Sequence, residues 1–296
     1  MAYYFCIDVG GTSIKSGVYD ENAQLIKDQP AVPCQNTPNE NRILSTVLDL
    51  VEQVSVEYEI IGVAISSSGV MDPSKGQVLY AGYTIPNFQG TDFKQAVEER
   101  FNIPCEVEND VNAVLLGEAW RGQLLAKNNL VCLAIGTGIG GAVYQNGDLV
   151  RGRNYSAGEI GYLNVDGHYF QDLASTSALV KKAQGTFSES DLNGRLIMER
   201  AQAGDKKMLA LLDEWLTDLA KGITSLMYLL NPETIILGGG IMEQVAFIKP
   251  RLEAKIQEQV IDPFFGQSPL YFAKLGNRAG MVGALYHFLS KNKQQA

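Results

Sequence analysis

Asp110 lies in Glu108-Asn109-Asp110-Val111-Asn112-Ala113, between two stretches of different period. Before it, Ile103, Cys105 and Val107 alternate with other residues as in a half-buried strand. After it, Val111, Val114, Leu115 and Ala119 recur at helical spacing up to Trp120. The pattern predicts a strand that hands over to a helix, and in parallel α/β sheets ligands collect at such strand ends. Asp110 can be read in two ways. As an N-cap it would contribute about 1 kcal/mol to the helix. As a general base taking the proton of a substrate hydroxyl it would contribute roughly 10²–10⁴-fold in rate.

Two glycine turns give the second reading its context. Tyr3 to Val9 is rich in β-formers and runs into Gly10-Gly11-Thr12-Ser13, with a return strand from Ile14 to Tyr19. Glycines in such a hairpin let backbone N–H groups crowd an anion, and Asp8 at the strand end could hold a Mg²⁺ through water. A plain tight hairpin would have the same sequence. The device recurs: Leu130 to Ile135 leads into Gly136-Thr137-Gly138-Ile139-Gly140-Gly141. Gly17-Val18-Tyr19 before Asn22 to Ile26 is matched by Ala142-Val143-Tyr144 before Asn146 to Val150. Strand, glycine hairpin, Val-Tyr and second turn all repeat, which marks an internal duplication, and two such turns facing each other could hold a polyphosphate.

A third cluster, Gly238-Gly239-Gly240, follows the apolar run Ile235 to Leu237 and could floor a nucleotide base or ribose. The Leu209, Leu212, Leu216, Leu219, Ile223, Leu226 and Leu230 stripe before it predicts a core helix from Asp205, stopped by Asn231-Pro232. Between the first turn and Asp110 a helix is expected over about 40–56 and a strand over 60–65. A polar loop, Ser66 to Pro73, suits a polyol ligand or an ordinary turn. Glu159, in Gly158-Glu159-Ile160-Gly161-Tyr162, is on spacing alone a solvated loop residue.

Composition narrows the classes. Hydrophobic residues make up 46% and charged ones 19%, as in ordinary globular proteins, and the 30 glycines cluster at turns rather than in linkers. The net charge of −9 argues against a nucleic-acid partner. No apolar run reaches membrane-spanning length, and no basic leader precedes Asp8. Cys6, Cys34, Cys105 and Cys132 form no C-x-x-C pair and read as reduced thiols, so a cytoplasmic setting is expected. The Gln/Lys tail is expected to fray.

Taken as a set, these motifs resemble the ROK family of repressors and sugar kinases, within the actin-like ATPase superfamily. The match includes Asp8 to Thr12, Ser68 to Asp72, Glu108 to Ala113, Ile135 to Gly141, Ala157 to Gly161, Leu237 to Gly240 and Ala279 to Ala284. The resemblance implies an α/β fold of two actin-like (ribonuclease H-like) lobes, each a mixed sheet flanked by helices, with the active site in the cleft between them. The lobes are expected over 1–115 plus 280–296, and over 116–279. It implies an ATP-dependent kinase that phosphorylates the 6-hydroxyl of a hexose or hexosyl unit, with Asp110 as base and helix cap together. Ser68, Gly69, Asn109, Glu159 and Gln171 would meet the sugar. Gly10, Gly11, Thr12, Lys15, Gly136, Thr137, Gly138, Gly239 and Gly240 would meet ATP, and Asp8 would sit on the Mg²⁺ side. A homodimer is implied as well.

Two positions depart from the family pattern. Many members carry a His and a Cys-rich segment that bind zinc; here the His position is Tyr162 and 166–171 holds no Cys, so no zinc is expected. Gln171 stands where a sugar-contacting Glu is usual. The Gly161-Tyr162 pair and the loss of zinc, together with Gly283 to Leu289, resemble the zinc-free branch that includes β-glucoside kinases, with N-acetylmannosamine kinase and glucokinase as neighbours. The alternative is a sugar-responsive regulator. Those carry a helix-turn-helix before the first glycine hairpin, where only seven residues precede Asp8 here.

Overall fold

The structure is a computed structural model that describes residues 2–37, 39–82 and 85–293; the tail expected to fray, at 294–296, lies outside the described residues. The chain divides into two compact units, residues 1–125 with 152–156 and 277–296, and residues 126–151 with 157–276.

The first unit is built on five strands: β1 (Tyr3–Val9), β2 (Ser13–Tyr19), β3 (Leu25–Pro33), β4 (Ile60–Ser67) and β5 (Cys105–Asn109), in the order β3-β2-β1-β4-β5. The hairpin neighbours pair antiparallel, while β1, β4 and β5 run parallel. Helices α1 (Ile43–Glu57), α2 (Phe93–Phe101) and α3 (Asp110–Arg121) belong here, together with the last helix of the chain, Ala279–Lys293. Phe5, Ile7 and Val9 of β1 join Val47, Val51 and Val54 of α1 in one core cluster. On the opposite side Tyr4 meets the ring of Phe288 edge-on at 5.5 Å. A strand covered on both faces has no solvent side, so β1 carries apolar residues almost without interruption.

The same covering corrects the expectation for β5. The alternation ending at Val107 predicts a half-buried strand, yet Glu106 and Glu108 are buried too. Each has a partner where it is buried: Lys94 Nζ donates to Glu106 at 2.6 Å, and Asn112 Nδ2 donates to Glu108 at 3.0 Å. Polar letters in a sequence thus stand for buried groups here because they are satisfied. The expected polar loop 66–73 is also shorter than read. Ser66 and Ser67 remain in β4, and Val70–Asp72 pairs with Gln77–Tyr80 as a small hairpin.

The second unit repeats the first. Strands β6 (Asn129–Ile135), β7 (Ile139–Gln145), β8 (Asp148–Leu149), β9 (Thr234–Gly238) and β10 (Leu270–Phe272) lie in the order β8-β7-β6-β9-β10, again antiparallel on the hairpin side and parallel on the other. Its helices are α4 (Phe170–Ala174), α5 (Thr176–Phe187), α6 (Gly194–Gln202), α7 (Lys206–Leu230) and α8 (Val245–Gln259); the final helix of the chain is α9. Asp205 caps α7 by accepting from Lys207 N and Met208 N at 3.1 Å, and left-handed Asn231 ends it, as the sequence predicts. Trp215 of α7 is buried and donates its indole N–H to Ser175 O at 3.1 Å. Burying a side chain of that size stabilises by about 1.5–3 kcal/mol. All four cysteines are free thiols, three of them buried.

Candidate active site

β5 ends and α3 begins at Asn109-Asp110, and the division of labour differs from expectation. The N-cap is Asn109, whose Oδ1 accepts from Val111 N and Asn112 N, both at 3.0 Å. Asp110 is the first helical residue, so it is not the cap. The cause is local: Asn109 keeps extended backbone at φ −60°, ψ 147°, which turns its short amide towards the first-turn donors. Asp110 is thereby left to be held as a carboxylate. Its Oδ1 accepts from Asn109 Nδ2 and Val111 N, both at 2.9 Å, and its Oδ2 accepts from Ser68 Oγ at 3.0 Å.

Every hydrogen-bonding position of the Asn109 side chain is engaged inside the chain, because its Nδ2 also donates to Gly69 O at 2.9 Å. A sugar hydroxyl reaching it would displace one of these bonds. Gly69 takes φ +98°, and a Cβ there would stand 2.7 Å from Tyr80 O, so only glycine lets the Ser68-Gly69 corner close on Asn109.

Asp8 sits in β1 opposite Lys15 on β2 and beside Ser66 on β4. Ser66 Oγ donates to its Oδ1 at 2.8 Å. Desolvation raises the Asp8 carboxyl above its ordinary value, against the Ser66 hydrogen bond and the charge of Lys15. The Lys15 ammonium itself donates to Asn277 Oδ1 at 3.2 Å. In the Gly10-Gly11-Thr12 turn Gly10 N donates to Ser13 O at 3.1 Å. Cys34, expected only as a reduced thiol, braces this turn: its Sγ donates to Gly10 O at 3.1 Å and its N–H to Thr12 O at 2.9 Å.

In the second unit Gly136 N donates to Gly138 O at 2.9 Å, closing the matching turn, and Gly136 O accepts from Thr176 N at the start of α5. Gly136, Thr137 and Gly240 line a cavity of about 770 Å³, whereas Gly138 and Gly239 lie outside its lining. Gly138 is packed instead against Gln171, whose Oε1 stands 2.8 Å from where a Cβ would be. The cavity wall that sequence reasoning missed comes from one face of α5, Thr176, Ser177, Val180, Lys181 and Gln184, and from Met198 and Gln202 of α6. The spacing of those α5 residues, polar on a helical face next to a buried stripe, was a signal in the sequence.

Glu159 is exposed, yet desolvation raises its carboxyl above the ordinary value. It precedes the short turn Ile160–Tyr162, and Tyr162 packs edge-on against Tyr169 with centroids 5.6 Å apart. Both tyrosines are 54% exposed, although the segment between them is tied down by the Lys221 ammonium on Asp166 at 2.6 Å.

These residues suit the groups the resemblance implies. A cavity of this size, polar on one helix face and apolar at Val180, Met198 and Ile241, matches a nucleoside. Asp8, whose burial penalises its charge, is the kind of carboxylate that a water-bridged Mg²⁺ would favour in ionised form. Among the described residues there is no group of three or more His, Cys, Asp or Glu that could hold a metal ion, and no helix long and apolar enough to cross a membrane.

Comparison with known proteins gives these observations a family. The family model described as ROK family matches residues 4–291. A β-glucoside kinase of Klebsiella pneumoniae is 33% identical over 292 residues, covering 95% of this chain and 94% of that protein. A ROK family protein from Streptococcus pneumoniae, solved in complex with sucrose, superposes with a TM-score of 0.86 at 28% identity, over 99% of both chains. A ROK family glucokinase from Streptomyces griseus, solved with glucose and AMPPNP, has a TM-score of 0.83 at 26% identity, over 97% of this chain and 99% of that one.

Proposed function

We infer the reaction from a plain premise: the chain belongs to the ROK family. It is a sugar kinase, a phosphotransferase with an alcohol as acceptor, and we propose that it moves the γ-phosphoryl group of ATP to the 6-hydroxyl of a hexosyl unit. The observation that carries this reading is the Asp110 carboxylate, fixed by Ser68, Asn109 and the Val111 amide at the end of a parallel strand. In it, Asp110 Oδ2 takes the hydroxyl proton as the sugar oxygen forms its bond to phosphorus and the bond to the leaving ADP oxygen breaks. Ser68 can rotate to share that oxygen with the incoming hydroxyl. Gly69 lines the sugar, and Glu159 and Gln171 accept from and donate to its other hydroxyls. Gly136, Thr137 and Gly240 bind nucleotide along the cavity wall, joined by Gly138 and Gly239 in the turns behind them, while Gly10, Gly11, Thr12 and Lys15 meet the phosphates. Asp8 would hold Mg²⁺ through water, and the ion would neutralise charge on the phosphates. Positioning and charge neutralisation account for most of the catalysis in such a transfer.

For the acceptor we propose a β-glucoside or another hexosyl disaccharide, ahead of free glucose or N-acetylmannosamine. The Klebsiella relative's name supports it, as does the sucrose in the Streptococcus neighbour. So does the exposed Tyr162–Tyr169 pair, which offers a ring face for a second sugar between Glu159 and Gln171 in sequence. An ATP-coupled assay over cellobiose, glucose, fructose and N-acetylmannosamine, with phosphorus NMR of the product, tests both levels. Fastest turnover on cellobiose with phosphate on the 6-carbon supports the proposal. Turnover on glucose alone overturns the acceptor, and a phosphate on the anomeric carbon overturns the 6-hydroxyl.

A further inference from the structure

We propose that Glu108 and His287 form a buried pair that positions Asp110, so that Glu108 acts on phosphoryl transfer without touching substrate. The inference rests on the reading of Asp110 as the base. The Glu108 side chain is 1% exposed and that of His287 is 5% exposed, with Glu108 Oε2 3.7 Å from His287 Nδ1. The other oxygen of Glu108 works on the strand–helix joint: Oε1 accepts from Asn109 N at 2.9 Å and from Asn112 Nδ2 at 3.0 Å. One carboxylate therefore bonds the end of β5 and the first turn of α3 and lies against His287 of α9.

Stability alone does not call for a carboxylate at this place. Burying one is costly, and replacing a whole buried ion pair by well-packed hydrophobic residues of similar volume is often neutral or better. What Glu108 does supply is direction. By holding the Asn109 N–H it fixes the backbone of the cap residue, and Asn109 Nδ2 in turn supports Asp110 Oδ1 at 2.9 Å.

His287 reaches Glu108 because α9 is keyed against α3. A Cβ on Gly283 would run into Ala113 O, so these helices cross with their backbones in contact, and His287 follows one turn later. One turn earlier, a Cβ on Gly280 would lie 2.8 Å from both Asp8 Oδ1 and Ser66 Oγ. The face of α9 that seats Glu108 thus also abuts Asp8, and a single helix sets the place of both carboxylates in this unit.

The test measures turnover and thermal unfolding for Glu108→Gln, Glu108→Ala and His287→Asn, each alone and combined with Asp110→Asn. Glu108→Gln keeps one carbonyl acceptor and Glu108→Ala keeps none. Activity should therefore fall in the order wild type, Gln, Ala, with kcat down about ten- to a hundredfold, as small misplacements of a reacting group do, and with the sugar KM nearly unchanged. Added to Asp110→Asn, neither change should lower the residual rate further, since the group they position is gone. An additional drop in that background, or a wild-type kcat in folded Glu108→Ala, overturns the inference. Should the Glu108 variants not fold, His287→Asn decides in the same way, because it leaves the Glu108 carboxylate and its bonds to Asn109 and Asn112 in the chain. If Asp110→Asn alone keeps full turnover, the base assignment itself fails; if Asp110→Asn is inactive and Glu108→Ala is not, only the positioning role fails.

Discussion

The two sheets share one strand order and one hairpin register but put different groups at the same point. Cys6 faces Gly17 and Cys132 faces Ala142, which makes Asp8 and Ala134 equivalent. Asp8 has Lys15 on one side and Ser66 on the other, whereas Ala134 has Gly140 and Gly238. The first unit keeps charge and hydrogen bonds beside its glycine turn. The second strips side chains away and opens a cavity of about 770 Å³ next to its own. On the proposed function, the two copies of this turn divide chemistry from nucleotide binding.

That contrast can be broken most severely at Asp8. Asp8→Ala should lower kcat by about a hundredfold, the scale of losing one electrostatic contact to a transferring group, and should raise the magnesium needed for half-maximal rate. A rate that responds equally to Ala134→Ser would erase the proposed division. Next comes the glycine contrast. Gly283→Ala places a Cβ against Ala113 O and should destabilise the protein by about 1–3 kcal/mol, read from urea unfolding. Gly136→Ala meets no atom within 4 Å, so its midpoint should stay within about 0.5 kcal/mol while the KM for ATP rises.

The smallest effect is one of sign. Burial raises the Asp8 carboxyl, so the folded chain keeps that proton to higher pH than the unfolded chain does. Its contribution to stability is therefore complete below the ordinary carboxylate range and declines as pH rises through the raised value. Asp8→Asn should gain melting temperature over the wild type at about pH 7.5, without magnesium, and lose that advantage near about pH 4. An advantage that grows on acidification would contradict the assignment of burial as the cause.

The glycine hairpins, the duplication and the α7 stripe were legible in the sequence because each rests on local spacing. Asp110 was legible as a strand-end carboxylate, but its neighbour's part was not. Whether Asn109 or Asp110 caps α3 depends on the backbone angle of one residue, and Asn and Asp cap equally well. The alternation of Ile103, Cys105 and Val107 puts Glu106 and Glu108 on the open side of a strand, yet both are buried. Their partners, Lys94 of α2, Asn112 of α3 and His287 of α9, belong to other elements, so the period of the strand does not reveal them. Cys34 on the Gly10 carbonyl is of the same kind, a contact made by β3 returning past the turn. Apart from the cap, these misses share one cause: contacts made between elements, which no period within one element records.

The central claim is that the Asp110 carboxylate removes the proton from the acceptor hydroxyl. Single-turnover phosphoryl transfer by Asp110→Asn, run beside calorimetric titration of the same variant with sugar, tests it most directly. The account predicts a transfer rate lower by about 10²–10⁴-fold with sugar affinity retained. A transfer rate equal to that of the wild type would contradict it.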